Sequence, residues 1–268
     1  MMRTFSFPLF VPATRPDRFA KAASSGTDTV IVDLEDAVAE DAKDAARDEA
    51  AQALGDISGA DVWLRVNGSD TDWHDADIEL AVAAHVNGIV LPKCESVDQL
   101  KHVRAALSVD QSIIALIESA RGVRAAYEIA EVSDRLMFGS IDYALDVGCQ
   151  LTQEASLFAR SKLVIASRAA RIPPPLDGVT TSLEDEGLVR SDAAHASGLG
   201  FGGKLLIHPN QIQPARTGFA PSAEEIEWAR NILSGGDGGE ARSVGGEMID
   251  APVVERARRL LLRYEETA

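Results

Sequence analysis

Three acids, Asp33, Glu35 and Asp36, fall within four positions at the carboxyl end of an apolar run in the stretch TVIVDLEDAV, 29–38. Other apolar runs also end in residues that can do chemistry: Arg65 and Asn67, Lys93, Glu118, Asp142 and His208. Carboxylates gathered in one place repel one another unless a cation or an arginine offsets them, and oxygen-only donors suit a hard ion such as Mg²⁺. That ion commonly takes one or two protein carboxylates and completes its octahedron with water and substrate oxygens, so Glu118 and Asp142 suffice as direct ligands. Glu35 and Asp36 then orient waters or ligands from behind. A single Asp at a strand end is as often a helix cap, but capping does not account for the whole set.

Arg65 lies inside an apolar run, where an unpaired charge is costly. Two roles are open to it: a buried partner for one of the acids, or a bidentate clamp on a substrate carboxylate. In FGSID, 138–142, Gly139 and Ser140 are small enough for backbone N–H groups to approach a substrate carbonyl oxygen.

These residues need elements that aim them at one place. Apolar runs bounded by turn signals predict eight strands, at 7–13, 29–35, 62–67, 88–93, 112–119, 135–142, 175–179 and 204–209. The runs are apolar almost without alternation, as in parallel strands buried on both faces. Ala-rich stretches with helical spacing separate them, for example KDAARDEAAQALGD and SVDQLKHVRAAL. Eight alternating units predict an α/β fold, a TIM (β/α)₈ barrel, whose active site is built at the carboxyl ends of the strands. We expect the barrel domain to occupy 1–213 and a small C-terminal helical appendage 214–268. The appendage comprises a helix at 221–233, a flexible Gly-rich connector at 234–247 and a second helix at 251–266. It is either a pair of capping helices or a lid.

Composition narrows the partners. The chain has 268 residues and a formal net charge of −16, which argues against general affinity for nucleic acid or an anionic membrane; a polyanionic ligand would need a local basic patch. Its two cysteines, Cys94 and Cys149, form no disulfide or zinc pattern. No run of about 18 apolar residues predicts a membrane span, and a cytoplasmic location is expected. GLGFGG, 198–203, precedes a strand rather than following one, so it reads as a helix end and turn instead of a dinucleotide fingerprint. His208 lacks a companion nucleophile pattern and reads as structural, and no G-x-S-x-G elbow occurs. Schiff-base chemistry at Lys93 is disfavoured by an acid-rich mouth, which keeps the lysine charged.

The stretches LFVPATRPDRFAKA, VDLEDAV, LRVNG, LPKCES, ALIESARGV, FGSIDYALDVG, DGV, GFGGKLLIHPNQI and MIDAPVVERA together resemble, in order and spacing, the citrate lyase beta-subunit-like branch of the HpcH/HpaI aldolase superfamily. The resemblance covers nearly the whole chain. It implies a TIM barrel with a C-terminal lid, assembled as a homotrimer or dimer of trimers. It also implies Mg²⁺-dependent making or breaking of carbon–carbon bonds next to coenzyme A (CoA) thioester enolates, with a 2-oxo acid as partner. Carried over by position, Glu118 and Asp142 resemble the metal ligands, Arg65 the carboxylate binder and Asp36 a partner near the metal. Asp250 resembles a lid acid supplied to a neighbouring subunit, and Arg15 and Lys93 match positions on the thioester or nucleotide side.

The expected activity is cleavage of a 3-hydroxyacyl-CoA of malyl-, citramalyl- or citryl-CoA type into a 2-oxo acid and an acyl-CoA. Three alternatives stay open: a malyl-CoA-type thioesterase, a metal-dependent aldolase on a free hydroxy or 2-oxo acid, and a citrate lyase subunit that needs partners.

Overall fold

The computed structural model describes residues 5–234, 242–244 and 247–267. Eight parallel strands form one sheet in sequential order: β1 (Leu9–Pro12), β2 (Thr29–Asp33), β3 (Asp61–Arg65), β4 (Gly88–Leu91), β5 (Ser112–Ile117), β6 (Arg135–Phe138), β7 (Leu176–Asp177) and β8 (Gly203–Lys204). The sheet curls until its last strand bonds back to its first. The Lys204 N–H donates to the Ser6 carbonyl at 2.8 Å, Leu206 to Pro8 at 3.0 Å, and Phe10 to Leu206 at 2.9 Å. With helices between the strands, this is the expected (β/α)₈ barrel.

Burial on both strand faces explains the unbroken apolar runs. In β2, Ile31 points into the barrel with Trp63, Val90, Ile114, Met137 and Leu205. Its neighbours Val30 and Val32 join the larger core between sheet and helices. The amino end of the barrel is plugged by Phe5, Trp63 and Arg135, all buried, with the Phe5 and Trp63 rings 5.5 Å apart.

Local signals place the helices. Ser96 and Gln99 make a reciprocal capping box ahead of Val97–Ala106. The Ser119 hydroxyl accepts from the Gly122 N–H at 3.1 Å to start Ala120–Arg124, and Asp185 does the same for Leu188 at 2.9 Å to start Glu186–Leu199. Gly200, at φ 101°, closes that last helix in the left-handed conformation. GLGFGG is therefore a helix end and turn leading into β8. The helix Ile212–Phe219 packs on Glu186–Leu199 so closely that a side chain at Gly218 would strike the Arg190 carbonyl and Ala193.

The strands stop earlier than the apolar runs suggest. The sixth ends at Phe138, so Asp142 stands in the first turn of the helix Ser140–Val147 rather than on a strand. The eighth ends at Lys204, with only Leu206 bridging onward to Leu9. His208 belongs to the next element: its Nδ1 accepts from the Asn210 N–H at 3.2 Å and caps a short 3-10 helix.

Two C-terminal helices, Ala223–Ser234 and Ala251–Thr267, pack together around Ala229, Ile232, Val254, Ala257 and Leu260. Ser222 and Glu225 form a capping box for the first, with N–H to side-chain distances of 2.9 and 3.1 Å. Part of the expected connector is instead an antiparallel pair, β9 (Arg242–Val244) and β10 (Glu247–Ile249); 235–241 and 245–246 lie outside the described residues. The Arg263 guanidinium ties the second helix to the barrel by donating to the Ser197 hydroxyl at 3.1 Å.

Candidate active site

The carboxyl ends of β1, β2, β3, β5 and β6 open on one cavity of about 510 Å³. Among its lining residues are Phe10, Asp33, Asp36, Arg65, Glu118, Gly139, Ser140 and Asp142. Sequential strand order produces this convergence, because each strand delivers the residues at its end to the same mouth.

Asp33 is the organiser, and its task was not foreseen from the sequence. It faces Arg65 across the β2–β3 register. Its two oxygens accept from Arg65 Nε at 2.7 Å and Nη2 at 2.6 Å. They also accept from the backbone N–H groups of Glu35 at 3.0 Å and Ala37 at 3.2 Å. One buried carboxylate thus shapes the turn after β2 and aims the guanidinium. Of the two roles open to Arg65, the buried partner is the one observed here. Its side-on fork is occupied by Asp33, and Nη1 meets two further acids, 3.1 Å from Glu35 Oε2 and 3.3 Å from Asp36 Oδ2, of which Asp36 is the exposed one a ligand carboxylate could replace. The plane of the guanidinium also stacks 4.9 Å from the Phe10 ring. Burial opposes the charge on Arg65, but Asp33, followed by Glu35 and Asp36, outweighs it and raises its pKa above the ordinary value.

Glu35 is buried and anchors Lys93, whose Nζ donates to Oε1 at 2.8 Å. Burial first, then the Asp36 charge, pushes Glu35 above the usual carboxylate range. Lys93 remains a cation: burial lowers its pKa, but the Glu35 hydrogen bond and the surrounding acids raise it further. Its backbone is unusual for a residue with a side chain, at φ 48°. In that conformation its N–H donates to Glu118 Oε1 at 2.7 Å, so a strained residue positions the acid on the next strand end.

Glu118 is almost wholly buried. Burial, reinforced by the charges of Glu35 and Asp142, pushes its carboxyl up to about 8. Asp142 is also raised, by burial and then by Asp36. Gly139 explains how Glu118 fits: a Cβ at that position would collide with the Glu118 carboxylate. The Gly139 N–H, however, donates to the Ile117 carbonyl at 3.0 Å. It is therefore not available to a substrate oxygen, contrary to the sequence expectation. Ser140 and the residues after it hold the first-turn amides of their helix, which have no intrahelical acceptor. Asn67, expected at the mouth, is buried behind it, where its amide donates to the Leu34 carbonyl at 3.0 Å and to Asp77 at 2.7 Å.

Five carboxylates (Asp33, Glu35, Asp36, Glu118 and Asp142) thus meet two cations, Arg65 and Lys93. Glu118 and Asp142 carry raised pKa values on one cavity wall. This surplus of oxygen donors fits a hard divalent cation.

Arg15 is outside this group. It forks onto exposed Asp17, with both bonds at 2.8 Å. It lines a second cavity of about 550 Å³ with Arg18 and Lys21, which shares Phe10, Pro12 and Ile207 with the mouth. Asp250 lines neither cavity. It caps its own helix, accepting from the Val253 N–H at 3.3 Å. Among the described residues, no helix is long and apolar enough to cross a membrane.

Residues 6–209 match the family model described as HpcH/HpaI aldolase/citrate lyase. The chain is similar to the citrate lyase subunit beta of Leuconostoc mesenteroides subsp. cremoris, at 34% identity over 94% of this chain and 91% of that one. It is also similar to a (3S)-malyl-CoA thioesterase of Cereibacter sphaeroides, at 33% identity over 98% and 96%. Among solved structures, the CitE protein of Mycobacterium tuberculosis in complex with magnesium, acetoacetate and coenzyme A superposes with a TM-score of 0.87 at 31% identity, over 99% of this chain and 100% of that one. With its barrel, its acid-lined mouth and a match over most of its length, the chain belongs to the HpcH/HpaI aldolase/citrate lyase family.

Proposed function

We propose that the protein is a Mg²⁺-dependent carbon–carbon lyase that cleaves a 3-hydroxyacyl-CoA thioester of malyl-, citramalyl- or citryl-CoA type into a 2-oxo acid and an acyl-CoA. The observation that carries this reading is the pair Glu118 and Asp142, both raised in pKa, on the wall of a cavity that also holds Arg65. The related CitE structure with magnesium, acetoacetate and coenzyme A supports it.

Glu118 and Asp142 would hold the ion, with Asp36 beside it; when bound, Mg²⁺ supplies Lewis-acid polarisation of substrate oxygens. Arg65, held in place by Asp33, takes the substrate carboxylate in exchange for the half-exposed Asp36 at Nη1. Loss of the hydroxyl proton and rupture of the C2–C3 bond release the 2-oxo acid and leave a thioester enolate. First-turn amides at Ser140 and beyond face its oxygen, and one proton delivered to C2 completes the acyl-CoA. The net-acidic protein supplies a local basic patch for the CoA phosphates in Arg15, Arg18 and Lys21, whose cavity adjoins the mouth. Lys93 lies on the thioester side.

The C-terminal appendage, expected at 214–268, acts as a lid over the barrel domain, expected at 1–213; the separate small core supports a lid made of the helices Ala223–Ser234 and Ala251–Thr267, whereas the helix Ile212–Phe219 spans the expected boundary and packs into the barrel core. Since Asp250 lines neither cavity of its own chain, we assign it as the proton donor or acceptor at a neighbouring subunit's site in a homotrimer or dimer of trimers. Asp250→Asn keeps the helix cap, because both residues cap well, but removes the titrating group. A large fall in kcat at unchanged Tm is expected, and wild-type turnover would remove Asp250 from the chemistry.

The likeness to a (3S)-malyl-CoA thioesterase sustains a second reading, in which the thioester is hydrolysed. Incubation of the purified chain with malyl-, citramalyl- and citryl-CoA plus Mg²⁺, followed by mass spectrometry, separates them. The lyase yields a 2-oxo acid and a shortened acyl-CoA. Free CoA with an intact hydroxy acid would establish the thioesterase, turnover without CoA a free-acid aldolase, and turnover only with added partners a lyase-complex subunit.

A further inference from the structure

We propose that His74, Asp75 and His102 form a second metal site, for Zn²⁺ or a similar borderline divalent ion, on the outside of the barrel between the helices His74–Ala83 and Val97–Ala106. Among the described residues these three form a group whose donor atoms all lie within 4.8 Å of one another. None of them lines the acid mouth.

His74 carries the inference. Its ring is buried, and Nδ1 lies 2.8 Å from the Asn67 carbonyl. A carbonyl only accepts, so Nδ1 holds the proton, and Nε2 of the neutral ring is left with a lone pair. That Nε2 is buried with no hydrogen-bond partner. An oriented imidazole with one N–H on a backbone carbonyl and the other nitrogen unpartnered is the arrangement of a metal-ligating histidine. The His102 ring stacks face to face against it, with centroids 5.9 Å apart and planes 26° from parallel, so two imidazoles from different helices are within reach of one ion once the exposed His102 ring turns to bring its in-plane lone pair round. Asp75, next in the chain, sits 2.9 Å from His102 Nε2 and supplies an oxygen.

Two imidazole nitrogens and one carboxylate favour Zn²⁺ over Mg²⁺, and they leave a fourth tetrahedral position for water. Nitrogens bonded at 2.0–2.1 Å to one tetrahedral ion stand about 3.3 Å apart. The donors must therefore close in, and His102 and Asp75 are exposed enough to do so. The bound ion would clip the two helices together and hold the Asn67 carbonyl through His74. The Asn67 side chain in turn holds the Leu34 carbonyl beside Glu35.

The test uses the full, untagged chain, stripped of metal and titrated with Zn²⁺ by calorimetry in excess Mg²⁺, with Co²⁺ absorption as a second readout. The expected result is one Zn²⁺ per chain, visible Co²⁺ bands of a nitrogen-ligated ion, and a higher Tm with Zn²⁺. His102→Ala and Asp75→Asn change exposed residues and should leave the fold intact. They should weaken Zn²⁺ by at least the roughly 10–100-fold that loss of an outer hydrogen bond costs a metal site. Glu118→Gln should leave Zn²⁺ binding unchanged. Absence of Zn²⁺ binding, affinity unaltered in His102→Ala, or binding lost only in Glu118→Gln would overturn the proposal, whatever the enzyme's reaction proves to be.

Discussion

Two arginines, one at each end of the barrel, show how position along a strand divides labour. Arg65 ends β3 at the carboxyl mouth among Asp33, Glu35 and Asp36, and its charge is reinforced. Arg135 begins β6 at the amino end, where its Nε donates to the Pro174 carbonyl at 2.8 Å and Nη1 to the Phe5 carbonyl. It stacks on the Phe5 ring; burial lowers its pKa to about 9, and the Asp28 charge offsets only part of that. Both are arginines in apolar strands. One is held by acids in an open cavity, and the other is sealed by carbonyls and rings. The carboxyl end of the barrel gathers charge that a ligand can use, whereas the amino end contains it for stability.

Removing a mouth acid should have the largest effect. Glu118→Gln keeps an acceptor for the Lys93 N–H but loses the charge, so kcat should fall by about 10³-fold while the barrel stays folded by circular dichroism. On the other side of the comparison, Arg135→Met leaves two buried carbonyls without donors. A stability loss of about 3 kcal/mol is expected, a Tm lower by roughly 6–12 °C, with kcat per folded molecule unchanged. Loss of turnover in the folded Arg135→Met protein would blur the distinction between the two ends. Arg65→Lys keeps charge but loses the fork on Asp33, so kcat/KM should drop about 10–100-fold at nearly constant Tm. A Tm loss as large as that of Arg135→Met would make Arg65 structural.

A further effect is a pH slope. Glu118 has a folded pKa of about 8, above its ordinary 4.5. The fold therefore holds a proton that the unfolded chain releases between those values. Metal-free stability should be fully present below about 4.5 and should decline as pH rises towards about 8. Glu118→Gln should flatten that decline in denaturant titrations, and an unchanged slope would place its origin elsewhere.

The barrel was legible because strands covered on both faces are apolar throughout, as in VIV of β2 and GIVL of β4. Their ends were less so. The run at 204–209 looked like a strand, yet His208 and Pro209 already belong to a capped 3-10 turn, since capping is decided by side-chain geometry rather than by hydropathy. Arg65, Glu118 and Asp142 reach one cavity because strand carboxyl ends and the turns after them share one mouth. The hold of Asp33 on Arg65 depends on the β2–β3 register, which no local pattern specifies. The Gly139 amide was misassigned because a sequence does not reveal which N–H groups are already paired. His74 and His102 escaped notice because they come together only when two separate helices pack.

The most direct test of the mouth as the reaction centre is Mg²⁺ calorimetry on the wild type, Glu118→Gln and Asp142→Asn, each checked for an unchanged fold. The expected result is one Mg²⁺ bound by the wild type, with binding lost in the Glu118 variant and sharply weakened in the Asp142 variant, in step with activity. Equal Mg²⁺ affinity in all three folded proteins would contradict it and remove both carboxylates from the metal.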